Sequence, residues 1–397
     1  MEFSAIGIIA TVCFALALVF SLASARILNL SDALKDRRPY LSRLLHFAGE
    51  PEIVFGMMAA VFLAALMFLE GLEAGLLWMD ERNFSEVAFV VVIMVLASTK
   101  PITEFAETII GGISRFIPVP QSMRLYVGIL TLGPLLGSLI TEPAAMTISA
   151  LLLIRAIYTP LKDRVDDRLF YSTLGALFVN VSVGGALTHF AAPPVLMIAR
   201  VWEWDTPHMF MNFGWKAILI VVLNTSLVAW YNRKALAKIS KRAASAVTEE
   251  TVHHKKPAPA WITAIHLGFM ALCVLGVHHP SFVIGLFLIF LGFYYITKEE
   301  QSPVKIEESI LVGFFLGGLV ILTAQQGWWL KPILSSIENF PLFLGTLALA
   351  PVTDNAAITS LASQVDSLSD KSKYLIAAAA VAGGGMTICA NAPIPAG

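Results

Sequence analysis

Two acids, Glu142 and Asp354, stand inside apolar sequence at matching places in the two halves of the chain. Thr141-Glu142-Pro143-Ala144-Ala145-Met146-Thr147 pairs with Thr353-Asp354-Asn355-Ala356-Ala357-Ile358-Thr359, an offset of 353 − 141 = 212. A carboxylate at the centre of a bilayer costs about 2.5–3.5 kcal/mol on insertion scales, so one placed there has a partner or a task. Burial favours its protonated form and a bound cation favours its ionised form. Such a group can therefore exchange a proton for a small cation. The competing reading is a carboxylate at an interface that caps the next helix. Repetition of the acid in both copies weighs toward function.

Neutral oxygens surround the acids. Thr141, Thr353 and Asn355 offer the oxygen ligands that hard cations prefer. Thr147 and Thr359 lie farther along, where a threonine hydroxyl bonds back to its own helix as readily. A second repeat sets Gly184-Gly185-Ala186-Leu187-Thr188 against Gly383-Gly384-Gly385-Met386-Thr387, an offset of 387 − 188 = 199. Gly184, Gly185, Gly384, Gly385 and Pro143 read as helix breaks that bring backbone to a ligand, although small residues also serve close helix packing in lipid. Asn180, Ser182, Thr188, Thr387 and Asn391 add polarity to the same expected cavity. His189 is a candidate pH sensor or proton relay, against the plainer role of an imidazole bonded within a helix break.

The elements that must hold these residues are membrane helices. The 397-residue chain is 57% hydrophobic and 14% charged, against about 25% charged in a soluble domain. Many stretches reach the roughly 20 apolar residues that cross a bilayer. A net charge of −1 says nothing about nucleic acid, and no long basic run or stacking pattern suggests such a partner. The three cysteines, Cys13, Cys273 and Cys389, are far apart and lack metal-ligand spacing, so they read as buried thiols. Expected crossings are 5–25, 52–79, 86–112, 169–201, 209–231, 260–277, 281–296, 309–326 and 373 to the end. The first is a retained helix, because no basic region precedes it.

Arg26, Lys35, Arg37, Arg38 and Arg43 follow the first span, and seven further basic residues follow Tyr231. Both stretches belong in the cytoplasm, which puts the N-terminus outside. Segment 122–158 has basic residues at both ends and Pro134, Gly137 and Pro143 within, so it reads as a re-entrant hairpin turning at 141–143. An odd number of crossings then inverts the second half, whose hairpin is expected over 339–364. The fold class expected is an all-α integral membrane protein, an inverted-repeat transporter with two re-entrant hairpins and discontinuous helices. Its parts would be a first repeat over 1–235, a cytoplasmic linker over 236–259 and a second repeat over 260–397. Measured against the first repeat, the second stops roughly 30 residues short and reads as truncated at its C-terminal end. Lys100-Pro101-Ile102 and Lys331-Pro332-Ile333 mark interfacial helices with snorkelling lysines.

Three sets of residues carry a family resemblance: Thr353-Asp354-Asn355-Ala356; Gly184-Gly185-Ala186-Leu187-Thr188 leading to Pro193-Pro194; and Asn391-Ala392-Pro393. On them the chain resembles the ion transporter superfamily over nearly its whole length, and within it the sodium/proton antiporter group that is NhaD-like. The resemblance implies a scaffold domain that forms a homodimer and a transport domain that moves like an elevator. The dicarboxylate branch of that superfamily carries Ser-Asn-Thr at its tips. Here the tips are Thr141-Glu142-Pro143 and Thr353-Asp354-Asn355, and two acids would repel an anionic substrate. Glu142-Pro143 departs from the Asp-Asn pattern, which ranks Asp354 as the main exchange carboxylate and Glu142 as its partner.

The expected function is sodium (or lithium)/proton antiport across a bacterial inner membrane. The lipid bilayer and a small inorganic ion would be the partners, and no cofactor beyond the transported cation and protons would be needed. An anion, metalloid or carboxylate carrier of the same superfamily is the alternative. A third reading, an intramembrane enzyme, lacks a nucleophile–base pair or a metal motif such as His-Glu-x-x-His.

Overall fold

A computed structural model describes residues 5–159, 166–237, 257–304, 306–387 and 390–391. The expected linker, with His253 and His254, lies almost wholly outside these residues, as do Cys389 and the chain after Asn391. The described residues form helices and no strand. In chain order the first half comprises α1 (Ala5–Leu34), α2 (Pro39–Gly49), α3 (Pro51–Glu70), α4 (Leu72–Asp80), α5 (Ser85–Ala97), α6 (Lys100–Ser114), α7 (Gln121–Ile140), α8 (Glu142–Leu153), α9 (Asp167–Gly184), α10 (Pro193–Ala199), α11 (Thr206–Met209) and α12 (Trp215–Tyr231). The second half comprises α13 (Ala260–Leu275), α14 (Pro280–Thr297), α15 (Ile306–Thr323), α16 (Gly327–Ser336), α17 (Asn339–Thr353), α18 (Asn355–Ala362) and α19 (Asp370–Gly383).

Among the described residues seven helical stretches are long and apolar enough to cross a membrane: Ala5–Ser24, Glu52–Glu70, Met123–Ile140, Asp167–Leu187, Thr206–Tyr231, Pro280–Glu300 and Ile306–Thr323. The protein is therefore a multi-pass, all-α membrane protein. Several expected crossings are not single rods; that over 169–201, for one, divides into α9 and α10. The stretch 52–79 breaks at Gly71, whose φ of 95° only glycine adopts readily, so α4 leaves the axis of α3. The stretch 86–112 bends by 71° between α5 and α6. Thr99 is extended there and Pro101 opens the new helix.

One body of helices packs α3 against α15, with α1, α5, α13 and α14 around them. The α3–α15 contact is backbone on backbone. A Cβ on Gly318 would lie 2.7 Å from the Phe55 carbonyl, so glycine sets the approach. Around the acids the helices are arranged by contacts that fix their direction. Gly137 meets Ala145 and Gly133 meets Ser149, so α8 doubles back along α7 from the turn at Thr141. Tyr126 bonds Thr173 at 2.8 Å, Asn180 bonds Leu130 O at 2.8 Å and Thr188 bonds Ser138 O at 2.7 Å, so α9 runs parallel to α7. In the second half Ser372 bonds Asn339 at 3.1 Å and Thr387 bonds Pro351 O, so α19 runs parallel to α17. The chain must return between them, and α18 is that return.

Candidate functional site

Proline shapes the helix that carries the first turn. Pro134 inside α7 has no N–H, so the Leu130 carbonyl one turn back loses its helical donor. Asn180 Nδ2 at 2.8 Å and Thr225 Oγ1 at 3.1 Å donate to it instead. Asn180 is fully buried in this link between α7, α9 and α12, and Asn224 donates to its Oδ1 at 2.8 Å. Its polarity serves the helices rather than the cavity expected from sequence.

The turns themselves are strained. Thr141 and Asp354 have φ of 81° and 74°, a region that side chains other than glycine avoid, at a cost of roughly 1–3 kcal/mol each. Each is the N-cap of the next helix, α8 and α18. This geometry corrects the sequence pairing by one residue. The turn residues correspond at 354 − 141 = 213, so Asp354 matches Thr141 and Asn355 matches Glu142. Contacts recur with that offset on the turn helices and 199 on α9 and α19. Thr188 to the Ser138 carbonyl is matched by Thr387 to the Pro351 carbonyl, since 351 − 138 = 213 and 387 − 188 = 199. Gly184 on Pro134 is matched by Gly383 on Leu347, and Gly185 on Glu142 by Gly384 on Asn355. Ser182 donates to the carbonyl of its own counterpart, Val381, at 2.8 Å.

Four helix ends therefore converge. The N-termini of α8 and α18 carry Glu142 and Asn355, and the C-termini of α9 and α19 end at the glycines those side chains touch. Glu142 and Asn355 are both 0% exposed, and Asp354 is 8% exposed. Asn391 Nδ2 donates to Glu142 Oε2 at 2.7 Å, and the Asn355 backbone N–H donates to the Ala390 carbonyl at 2.9 Å. Asp354 Oδ1 accepts from Ala356 N–H at 2.7 Å, the capping bond of α18.

Several buried polar atoms here have no partner among the described residues: Thr141 Oγ1, Glu142 Oε1, Asn391 Oδ1, and both Oδ1 and Nδ2 of Asn355. A buried donor or acceptor left unpaired costs about 1–3 kcal/mol, and native structures hold few. Four of these atoms are oxygens, a donor set that suits a small hard cation.

The other residues expected at the site serve its walls. Thr188 and Thr387 tie the breaks to α7 and α17. Thr353, Thr147 and Thr359 bond back to their own helices. Pro143 lies in the first turn of α8 and helps to start it rather than break it. His189 bonds Thr206 at 2.7 Å and faces Phe190 and His278. Ser138 escaped the sequence reading. Its hydroxyl donates to the Gly184 carbonyl at 2.6 Å and accepts from Leu187 N–H at 3.0 Å, closing the broken end of α9. A lone serine near the end of an apolar helix was the available signal.

A bundle of membrane helices whose broken ends surround a buried carboxylate and unpaired oxygens has the make-up of a membrane transporter. The chain belongs to the family described as "Putative Na+/H+ antiporter", whose model matches residues 5–397. This places it among the cation/proton antiporters. No curated protein matches it.

Proposed function

We propose that the protein exchanges sodium or lithium for protons at Glu142. The observation that carries this reading is the Glu142 carboxyl, 0% exposed, with one oxygen bonded by Asn391 and the other unpaired among the described residues. Thr141 Oγ1, Asn355 Oδ1 and Asn391 Oδ1 supply further oxygens. The cation binds the ionised carboxylate and displaces its proton; reprotonation on the other side releases it. Asp354, ranked first from sequence, acts chiefly as the cap of α18.

We further infer an inverted repeat with two re-entrant hairpins, α7–α8 and α17–α18. The length of α7 would allow a full crossing. Several contacts favour a turn inside the membrane instead. α8 returns along α7, Gly185 touches Glu142 at the turn, and α9 and α19 meet at their broken ends through Ser182 and Val381. Contact of Ser182 with its own counterpart is what a two-fold axis produces, and antiparallel helix ends are what inversion produces. The body built on α3 and α15 is then the scaffold, on which the hairpins move to expose Glu142 alternately. We assign the protein to a bacterial inner membrane, as a homodimer with its N-terminus outside.

The test is proton flux in everted vesicles on addition of sodium, lithium, potassium or citrate. Sodium or lithium should drive flux, and Glu142→Gln should abolish it while the protein still inserts and folds. Citrate-driven flux without cation-driven flux would replace this reading with a carboxylate carrier.

A further inference from the structure

We propose that α2 and the turn before it form a docking surface for the anionic phospholipids of the surrounding membrane. An apolar ridge of Tyr40, Leu44 and Phe47 enters the interface, and the basic residues beside it meet the phosphates. This surface is separate from the exchange site at Glu142 and does not depend on it.

The segment between the first two apolar spans, Ala5–Ser24 and Glu52–Glu70, is more than a loop. α1 runs on to Leu34, about 15 Å past Ser24 at roughly 1.5 Å per residue, and α2 returns beside it. The Ser31 hydroxyl donates to Ser42 O at 2.7 Å, and the Ser24 hydroxyl donates to Gly49 O. Both pairs share one sum, 31 + 42 = 24 + 49 = 73, so the helices are antiparallel and in register. A Cβ on Gly49 would lie 2.8 Å from Leu28, which makes the contact close. The register sets heights above the end of the span at Ser24. Phe47 is level with position 26 and stands about 3 Å beyond it, Leu44 about 7 Å and Tyr40 about 13 Å. The headgroup layer is about 5–7 Å deep. Phe47 is therefore within that layer and Leu44 at its edge, and Arg43 stands just above, within a Debye length of about 8 Å.

α2 uses one face against α1, where Ser42 and Gly49 are buried. Tyr40, Leu44 and Phe47, at i, i+4 and i+7 on the opposite face, are 81%, 66% and 52% exposed. A contiguous exposed apolar patch marks a binding surface, and charge indicates what covers this one. Arg26, Lys35, Arg37, Arg38 and Arg43 lie in segment 26–50, against the acids Asp32, Asp36 and Glu50. All five basic residues are exposed, and none has an ion-pair partner among the described residues, whereas Glu50 is held by His46 at 3.2 Å. Roughly four to eight basic residues beside a membrane helix attract anionic lipid. A second copy of the chain fits less well, because a two-fold contact through the ridge would set Arg43 and the turn arginines against their own copies. Basic residues alone would follow from their preference for cytoplasmic loops, but that preference calls for no apolar ridge beside them.

The experiment uses the full chain in nanodiscs of phosphatidylcholine, with and without phosphatidylglycerol. A nitroxide is attached at Leu44→Cys in a chain whose native cysteines are replaced by alanine. Its collisions with oxygen and with a water-soluble nickel chelate are then compared. With phosphatidylglycerol present the label should gain contact with oxygen and lose contact with the chelate, and added salt should reverse the change. Arg37→Gln, Arg38→Gln and Arg43→Gln together should return the label to its phosphatidylcholine value, while lysine at the same three positions should keep the lipid dependence. In titrations with phosphatidylglycerol each removed charge should weaken binding about fivefold. Equal shielding in both lipids would leave the headgroup charge without a role, and full exposure to the chelate in both would leave the ridge uncovered; either result overturns the proposal. Close spin–spin coupling between the labels of two chains would make a second copy the occupant and overturn it as well.

Discussion

Replacing Gly185 by alanine tests the site with a single methyl group. A Cβ there would overlap Glu142 Oε1 and lie 2.6 Å from its Cγ and 2.8 Å from its Cδ. Ordinary contact needs more than 3.4 Å, so the carboxyl group must retreat by about 1 Å. Glu142 is fully buried and held by Asn391 on its other oxygen, so retreat disturbs that bond as well. Overpacking of this kind costs about 1–3 kcal/mol, which as lost cation affinity corresponds to roughly 5–150-fold. Gly175 on the same helix has nothing within 4 Å of its would-be Cβ and serves as the control. Alanine there should be neutral or add a few tenths of a kcal/mol of helix stability, up to about 1. The assay is the sodium dependence of proton flux in proteoliposomes, with thermal melting of both variants in detergent. Wild-type sodium affinity in Gly185→Ala, with normal folding, would refute the placement of Glu142 against the broken end of α9.

Two other substitutions separate support from ligation. Ser138→Ala should lower stability by about 1–3 kcal/mol, because the buried Gly184 carbonyl loses its donor; an unchanged melting temperature would remove Ser138 from the break. Asn180→Val should destabilise by a similar amount, since only Thr225 then serves the carbonyl freed by Pro134. Sodium affinity should be kept in that variant, and a large loss of affinity at normal stability would show Asn180 to be a ligand after all.

Composition and local pattern determined a good deal. Low charge and long apolar runs required membrane helices, and the repeated Thr-acid and Gly-Gly segments marked where the chain turns and breaks. Glu142, Asn355, Asn391, Thr141 and the glycines Gly185 and Gly384 were all legible as site candidates, because polar or flexible residues in apolar sequence carry a cost that needs a reason. What the sequence could not decide was which of them correspond. Matching by residue type set Glu142 against Asp354, whereas the left-handed turns set Glu142 against Asn355 and made Asp354 a cap. Asn180 and Thr188 carry the same polar groups as a ligand would, yet they serve carbonyls freed by Pro134 or exposed at a helix break. Residue type reports only that a polar group needs a partner. Whether that partner is a backbone carbonyl or a passing ion depends on which helix lies beside it, and that is set by glycine contacts and turn geometry between segments more than 40 residues apart.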